Sequence, residues 1–175
     1  YGADALRLTL VTGNAPGNDM RFYNERVEAS RNFANKVWNA SRFIMMNMDE
    51  NIIDEPFHDL FTPADRWILS AANTLAKDVT DNMDKFELGI AVQKVYDFIW
   101  DEFCDWYVEM AKFRIYHKEE APEAANCALW VLKTVLAQGL KLLHPFMPFI
   151  TEEIYGALVP EEESLMMSEW PKYKE

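Results

Sequence analysis

The 175 residues carry 29 acidic and 17 basic side chains, which gives a formal net charge of −12. This charge argues against general affinity for nucleic acid or anionic membranes, but it does not exclude a local basic strip. Half of the residues are apolar, with only 6 Gly and 8 Pro, as in a compact globular domain. No apolar run reaches the ~18 residues of a transmembrane helix, and no leader opens the sequence. We therefore expect a cytoplasmic protein without a membrane partner, cut from a longer chain because it begins with Tyr1.

The first 23 residues predict the end of a preceding segment and a connecting loop. A short apolar stretch runs from Leu6 to Val11. Residues typical of loops follow it, namely Gly13, Asn14, Pro16, Gly17 and Asn18.

Four long amphipathic helices are predicted after this loop, from the recurrence of apolar residues every three or four positions. Asn24 is the expected cap of the first helix, and Thr62 caps the second with Pro63 at its first position. The helices cover about 24–48, from 62 to the turn at "KFELGIA", 88–116 and 122–144. A polar connection, "MDENIIDEPFHDLFTP", separates the first two.

These elements predict an all-α fold, an antiparallel helical bundle of four long helices. "ITEEIYGAL" adds a short final helix, and residues 160–175 form an extended tail after the bundle domain of residues 24–159. The side chains expected to point mainly inward are Trp38, Trp67, Ile99, Trp106, Leu136 and Leu140.

Catalytic and metal-binding patterns are missing from the sequence. The histidines and cysteines have no metal-ligand spacing, and no glycine-rich phosphate loop or nucleophile–base arrangement stands out. Cys104 and Cys127 are expected to be buried free thiols. We therefore expect no enzymatic activity of this chain alone, and no cofactor or metal in it.

The segment "RNFANKVWNASRF" places three asparagines in a predicted helix, although asparagine is a mediocre helix former. On a helical projection, Phe43 lies nearly opposite the apolar stripe, on the same side as Asn39. Phe43 either packs under a neighbouring loop, with the asparagines facing solvent, or forms a platform for single-stranded nucleic acid. In the second case the ring stacks on a base while amides meet base edges. The spacing alone leaves both interpretations open.

The third predicted helix carries an acidic stripe of Asp97, Asp101, Asp105 and Glu109. The first three are expected to pair with the basic flank of the first helix or to face solvent. A carboxylate near a stacked base could instead accept a hydrogen bond from an amino group of cytosine or adenine. Glu109 ends the stripe, beside Val108 on the side expected to be exposed.

The sequence words "YGADALRLTL", "RNFANKVWNASRF", "WDEFCDWYVEMAK", "LLHPFMPFITEEIY" and "SEWP" resemble, in this order, the C-terminal part of the valyl-tRNA synthetases, class I aminoacyl-tRNA synthetases. The first and fourth are shared with the isoleucine and leucine enzymes, whereas the second and third are typical of the valine enzymes. The resemblance implies a helical anticodon-binding domain that recognises valine tRNA. It also implies partners in the rest of the synthetase chain: the catalytic, editing and C-terminal regions, with ATP and magnesium needed by the full-length enzyme.

The resemblance also implies roles for particular residues at the anticodon, whose middle base is adenine and whose third base is cytosine. Arg21 matches an arginine at the anticodon, Phe43 an aromatic stacked on an anticodon base, and Val108 with Glu109 an aliphatic–acidic pair. A second arginine of some members falls on Glu25 here, so Arg26 is the expected substitute.

Two alternatives to the valine enzyme remain. One is the equivalent domain of an isoleucine or leucine enzyme, and the other is a non-enzymatic helical bundle for protein docking.

Overall fold

The computed structural model describes residues 1–13, 17, 19–48 and 58–175. All regular secondary structure in these ranges is helical, which confirms the all-α prediction. The predicted loop residues Asn14, Pro16 and Asn18, and most of the connection predicted after Met48, lie outside the described ranges.

The helices follow the predicted order, with one additional short helix and one π-helical segment within the third long helix. The four long predicted helices and the short final helix are present, while the opening apolar stretch forms a further short helix. The third long helix runs without a break through two α-helices and a π-helical segment between them. The bounds are α1 Ala3–Val11, α2 Asn24–Asn47, α3 Pro63–Asp84, α4 Leu88–Asp97, the π-helical segment Phe98–Val108, α5 Glu109–Tyr116, α6 Pro122–Leu143 and α7 Pro148–Leu158.

Local capping explains where α3 begins. The Thr62 hydroxyl accepts a hydrogen bond from the Asp65 amide (3.3 Å), and the Asp65 carboxylate accepts one from the Thr62 amide (2.8 Å). This reciprocal pair satisfies two amides that a helix start leaves without partners. The cap predicted for α2 is wrong by one residue, because Tyr23 occupies the N-cap and provides no side-chain hydrogen bond.

The core face of α2 is rotated from the predicted stripe. Phe33, Val37 and Ile44 are fully buried, whereas Trp38 keeps 43% of its surface exposed. Phe33 stacks on Tyr96 of α4, with ring centroids 4.3 Å apart. The prediction for Trp38 is therefore wrong. Phe33, rather than Trp38, lies on the face of α2 that packs against α4.

The π-helical segment changes which side chains of the third long helix share a face. Its hydrogen bonds join residues five apart rather than four, and buried Phe98, Phe103 and Val108 follow that spacing. Trp106 consequently turns outward and is 64% exposed, contrary to the prediction of an inward side chain.

Of the other predicted core residues, three are buried and one is exposed. Ile99, Leu136 and Leu140 are buried, as predicted. Trp67 is exposed, so its predicted inward position is wrong; it lines a surface groove between α3 and the π-helical segment.

The segments "YGADALRLTL" and "LLHPFMPFITEEIY" contact each other. The Asp4 carboxylate of α1 accepts hydrogen bonds from the amides of Phe149 (3.3 Å) and Ile150 (2.7 Å) at the start of α7. The Arg7 guanidinium donates to the carbonyls of Pro145 (3.0 Å) and Phe146 (3.3 Å). Together they supply the partners that two helix ends lack and fix α1 to the α6–α7 junction.

The segment predicted as an extended tail packs along α3. Leu165 is buried, and the Trp170 indole donates to the Thr80 hydroxyl (2.9 Å). Further along, Asn73 and Lys174 exchange two hydrogen bonds of 2.7 and 2.9 Å. The tail therefore runs antiparallel to α3 and belongs to the same folded unit.

Candidate nucleic-acid interface

Phe43 lies at the edge of the bundle, on the part of α2 that faces α5. It is half-buried and packs against the rim of the core. The Tyr116 ring stands perpendicular to it, at 85° and 6.4 Å between centroids, and the Lys112 ammonium lies 5.6 Å from its centroid. Phe43 thus neither enters the core nor stands alone in solvent.

Glu109 joins this group through Lys112. Its carboxylate lies 2.6 Å from the Lys112 ammonium, and its side chain is exposed. Phe43 and Glu109 are far apart in the sequence, and the contacts of Phe43 with Lys112 and Tyr116 of α5 bring them to one surface. We call Phe43, Glu109, Lys112 and Tyr116 the Phe43 cluster.

Asn39 lies beside the Phe43 cluster. It is exposed, and it precedes Phe43 by one helical turn, so both occupy the same face of α2. Its amide is therefore placed to reach a ligand that touches the Phe43 ring.

Val108 does not reach this surface. The sequence predicts it on the exposed side, but it is only 5% exposed and packs in the core. The five-residue spacing of the π-helical segment turns it inward, in line with Phe103. Its predicted position on the exposed side is therefore wrong, whereas its predicted role at the anticodon stays a prediction.

Arg21 and Arg26 lie at the other end of α2. Both are exposed, and ~26 Å of helix separates Arg26 from Phe43, at ~1.5 Å per residue. The Arg26 guanidinium packs against the end of α1, where a Cβ built on Gly13 would lie 2.6 Å from it. The structure does not bring these arginines into the Phe43 cluster.

Part of the acidic stripe has a structural role. The Lys36 ammonium of α2 lies 2.6 Å from the Asp105 carboxylate and 3.7 Å from the centroid of the Trp100 ring. Asp105 therefore pairs with α2, but through Lys36, which the helical projection places on the far side of the helix rather than on the predicted basic flank.

The family comparison identifies the kind of domain to which this surface belongs. Residues 65–175 match the family model described as the anticodon-binding domain of tRNA ligase. The chain belongs to this family. This is a family of anticodon-binding domains, which disfavours the alternative of a non-enzymatic bundle for protein docking.

Two curated relatives that match the whole chain are valine–tRNA ligases. The chain is 58% identical over 177 residues to the valine–tRNA ligase of Clostridium tetani, and 50% identical over 178 residues to that of Bacillus anthracis. Each alignment covers all of this chain and 20% of the relative. The domain therefore spans about a fifth of the length of these curated relatives.

Solved structures of two other ligases share the fold. Methionyl-tRNA synthetase of Mycobacterium tuberculosis in complex with methionyl-adenylate aligns with a TM-score of 0.72 at 17% identity, over 98% of this chain and 36% of that one. The leucyl enzyme of Agrobacterium radiobacter K84, in a ternary complex with tRNA, aligns at 0.68 and 19% identity, over 98% of this chain and 19% of that one. At this identity the likeness concerns the helical architecture.

A buried ionic network joins α5, which carries three residues of the Phe43 cluster, to α3. Asp65 of α3 is fully buried and pairs through both oxygens with the Arg114 guanidinium of α5. Tyr107 donates its hydroxyl to the same carboxylate. Burial opposes ionisation of Asp65, but the hydrogen bonds from Arg114 and Tyr107 outweigh it and lower the pKa of the carboxyl.

The sequence analysis did not identify two residues of the Phe43 cluster, Lys112 and Tyr116. Lys112 and Tyr116 follow Glu109 at i+3 and i+7, so all three lie on one side of α5. That spacing was a usable signal, but only the tertiary packing shows that Phe43 faces the same side.

Within the described residues, no three histidine, cysteine or acidic side chains gather as a metal site would require. Cys104 and Cys127 are buried free thiols, as predicted. Burial raises the pKa of the Cys104 thiol to about 12, which makes it a poor nucleophile near neutral pH. None of the helices in the described ranges is long and apolar enough to cross a membrane.

Proposed function

We propose that the domain binds the anticodon loop of valine tRNA through the Phe43 cluster. The observation that carries the proposal is the gathering of an aromatic ring, a carboxylate and an ammonium group on one exposed surface. Aromatic faces stack on unpaired bases, and charged groups read their edges or meet phosphates.

The chemistry of Glu109 suits the valine anticodon. Adenine and cytosine, its middle and third bases, both carry an exocyclic amino group that donates hydrogen bonds. A carboxylate has about four acceptor positions, so Glu109 can accept from such a group while Lys112 stays at its other side. The exposed Glu109–Lys112 pair contributes little by itself, on the order of 0 to 1 kcal/mol, so a ligand can rearrange it at small cost.

Arg21, Arg26 and Asn39 complete the proposed interface in different ways. Asn39 lies beside the ring of Phe43 and is suited to a base edge. Arg26 lies in the first turn of α2 and Arg21 just before that helix, whereas Phe43 lies near its other end, so neither arginine is suited to the base that Phe43 touches. We assign them to phosphates further along the tRNA, where they add affinity that falls with salt.

The whole-protein role is part of the same proposal. Relatives with 50 to 58% identity are named as valine–tRNA ligases, which favours valine tRNA over the isoleucine or leucine alternatives. In such a ligase this domain positions the tRNA, while ATP, magnesium and the chemistry belong to regions outside this chain.

Glu109→Gln should weaken binding of valine tRNA by about ten-fold, because an amide accepts less strongly from a base amino group than a carboxylate does. The measurement is filter binding of the 175-residue chain at low salt, with an unrelated tRNA as reference. Glu109 is exposed, so melting of the variant should match that of the parent chain.

Glu169→Gln is the matched control. Glu169 also pairs with a lysine three residues later, at 3.4 Å, but on the tail that packs along α3. It should leave tRNA binding unchanged. Equal affinities of the two variants for valine tRNA would contradict the assignment of the base contact to Glu109.

A further inference from the structure

The Asp65 carboxylate fastens the third long helix to α3 on both sides of Glu109. Tyr107, the next-to-last residue of the π-helical segment, donates its hydroxyl to one carboxylate oxygen. Arg114 of α5 donates to both oxygens. The chain between these two attachments carries Glu109, whose carboxylate belongs to the proposed interface.

The attachment through Tyr107 is buried and specific. Tyr107 and Asp65 are both completely buried, and burial raises the pKa of the Tyr107 hydroxyl, so the hydroxyl remains a donor at neutral pH. The amide and hydroxyl of Thr62 also donate to the carboxylate, at 2.8 and 2.9 Å. A buried polar network with this many partners holds each of them in a defined position.

The direction of Glu109 depends on which residue of its helix meets α3. The π-helical segment ends at Val108, and α5 begins at Glu109, so the hydrogen-bond spacing changes from five residues to four at this point. Each residue of an α-helix turns the chain by about 100°. A one-residue change in the side chain that meets α3 would therefore rotate Glu109 by about this angle, away from Phe43.

We infer that the Tyr107 hydroxyl is a positioning group for anticodon recognition, because its bond to Asp65 holds Glu109 in the orientation that meets a base. The inference rests on the proposed function of Glu109. Tyr107 lies two residues before Glu109 and its ring has little conformational freedom, whereas Arg114 lies five residues after it. The tyrosine therefore limits the orientation of Glu109 more closely than the arginine does.

Tyr155 provides a matched control for Tyr107. It is also completely buried, and its hydroxyl donates to a carboxylate, that of Glu162, at 2.8 Å. This pair joins α7 to the segment that follows it and includes no residue of the Phe43 cluster. Replacing either tyrosine by phenylalanine keeps the ring and removes one hydrogen bond to a carboxylate.

The test compares Tyr107→Phe and Tyr155→Phe in discrimination between valine tRNA and a copy with uracil in place of the middle adenine of the anticodon. The measured quantity is the ratio of the two Kd values for the 175-residue chain. A residue without contact to the ligand can change such a coupling by about two-fold to thirty-fold. Tyr107→Phe is expected to lower the ratio by about three-fold or more, with binding of an unrelated tRNA unchanged. Tyr155→Phe should keep the ratio of the parent chain.

This ratio distinguishes positioning from stability, because a smaller folded fraction weakens binding of both tRNAs equally. Thermal melts check that the variants fold. A double-mutant cycle tests whether the hydroxyl acts through Glu109. Once Glu109 is replaced by glutamine, Tyr107→Phe should change the ratio by less than about two-fold.

Arg114→Lys is a second variant of the same network. It keeps the positive charge beside Asp65 but loses the planar, two-point pairing with the carboxylate. The ratio should fall in the same direction as for Tyr107→Phe, and this variant provides the test if Tyr107→Phe does not fold.

The outcomes separate the inference from the proposed function. If Glu109→Gln lowers the ratio but Tyr107→Phe behaves like Tyr155→Phe, the inference is overturned and the proposed function stands. An equal effect of Tyr107→Phe with and without Glu109 would also overturn the inference. So would failure of both Tyr107→Phe and Arg114→Lys to fold, since the network would then serve stability alone. If the parent chain binds the two tRNAs equally, the proposed function fails, and the inference fails with it.

Discussion

Arg114→Ala is expected to lower the free energy of unfolding by about 3 to 5 kcal/mol at pH 7. The change leaves the Asp65 carboxylate fully buried without its ion-pair partner, and breaking a buried pair costs about this much. Denaturant unfolding of the chain, followed by circular dichroism, measures the effect. Lys172→Ala is the matched control, because the Lys172–Glu169 pair is exposed and should contribute less than about 1 kcal/mol.

The pH dependence of this loss has a defined sign. In the parent chain the pKa of Asp65 is lowered, so its contribution is present above the unfolded value of about 3.9 and is lost as the pH falls through the folded value. Without Arg114, burial should raise the pKa of Asp65, and acid then favours the folded variant. The gap between parent and variant should shrink from pH 7 to about pH 4. A gap that widens, or one no larger than that of Lys172→Ala, would contradict the network.

Phe33→Ala is expected to destabilise the chain by about 3 to 5 kcal/mol, as for a fully buried phenylalanine. The ring is completely buried and stacks on Tyr96. Trp38→Ala, five positions later on α2, removes a larger side chain that is already 43% exposed, and it should cost much less. Urea midpoints of the two variants decide the comparison. If Trp38→Ala were the more damaging, the core face of α2 would be the one that the sequence predicts.

The bundle could be predicted because its signals are local. Helix starts at Pro63 and Pro122 carry proline at the first turn, and apolar residues recur at helical spacing between them. These features depend only on neighbours in the sequence. The π-helical segment has no such local signal, since its five-residue spacing emerges only when Phe98, Phe103 and Val108 pack together.

The candidate site could be predicted only in part for the same reason. The helical projection places Phe43 nearly opposite the core stripe, whereas the side chain is half-buried and packs against the rim of the core. The projection assumes regular α-helix, however, so it places Val108 on the wrong side. The meeting of Phe43 with Lys112 and Tyr116 depends on how α5 packs against α2, which no pattern within one helix encodes.

Changing the middle adenine of the valine anticodon tests the central claim most directly. Valine tRNA and a copy with uracil at that position are titrated against the 175-residue chain at one salt concentration, so that phosphate contacts contribute equally. A lost base contact is worth about 1 to 3 kcal/mol, which predicts at least about five-fold weaker binding of the altered tRNA. Equal affinities for the two tRNAs would contradict anticodon recognition by this domain.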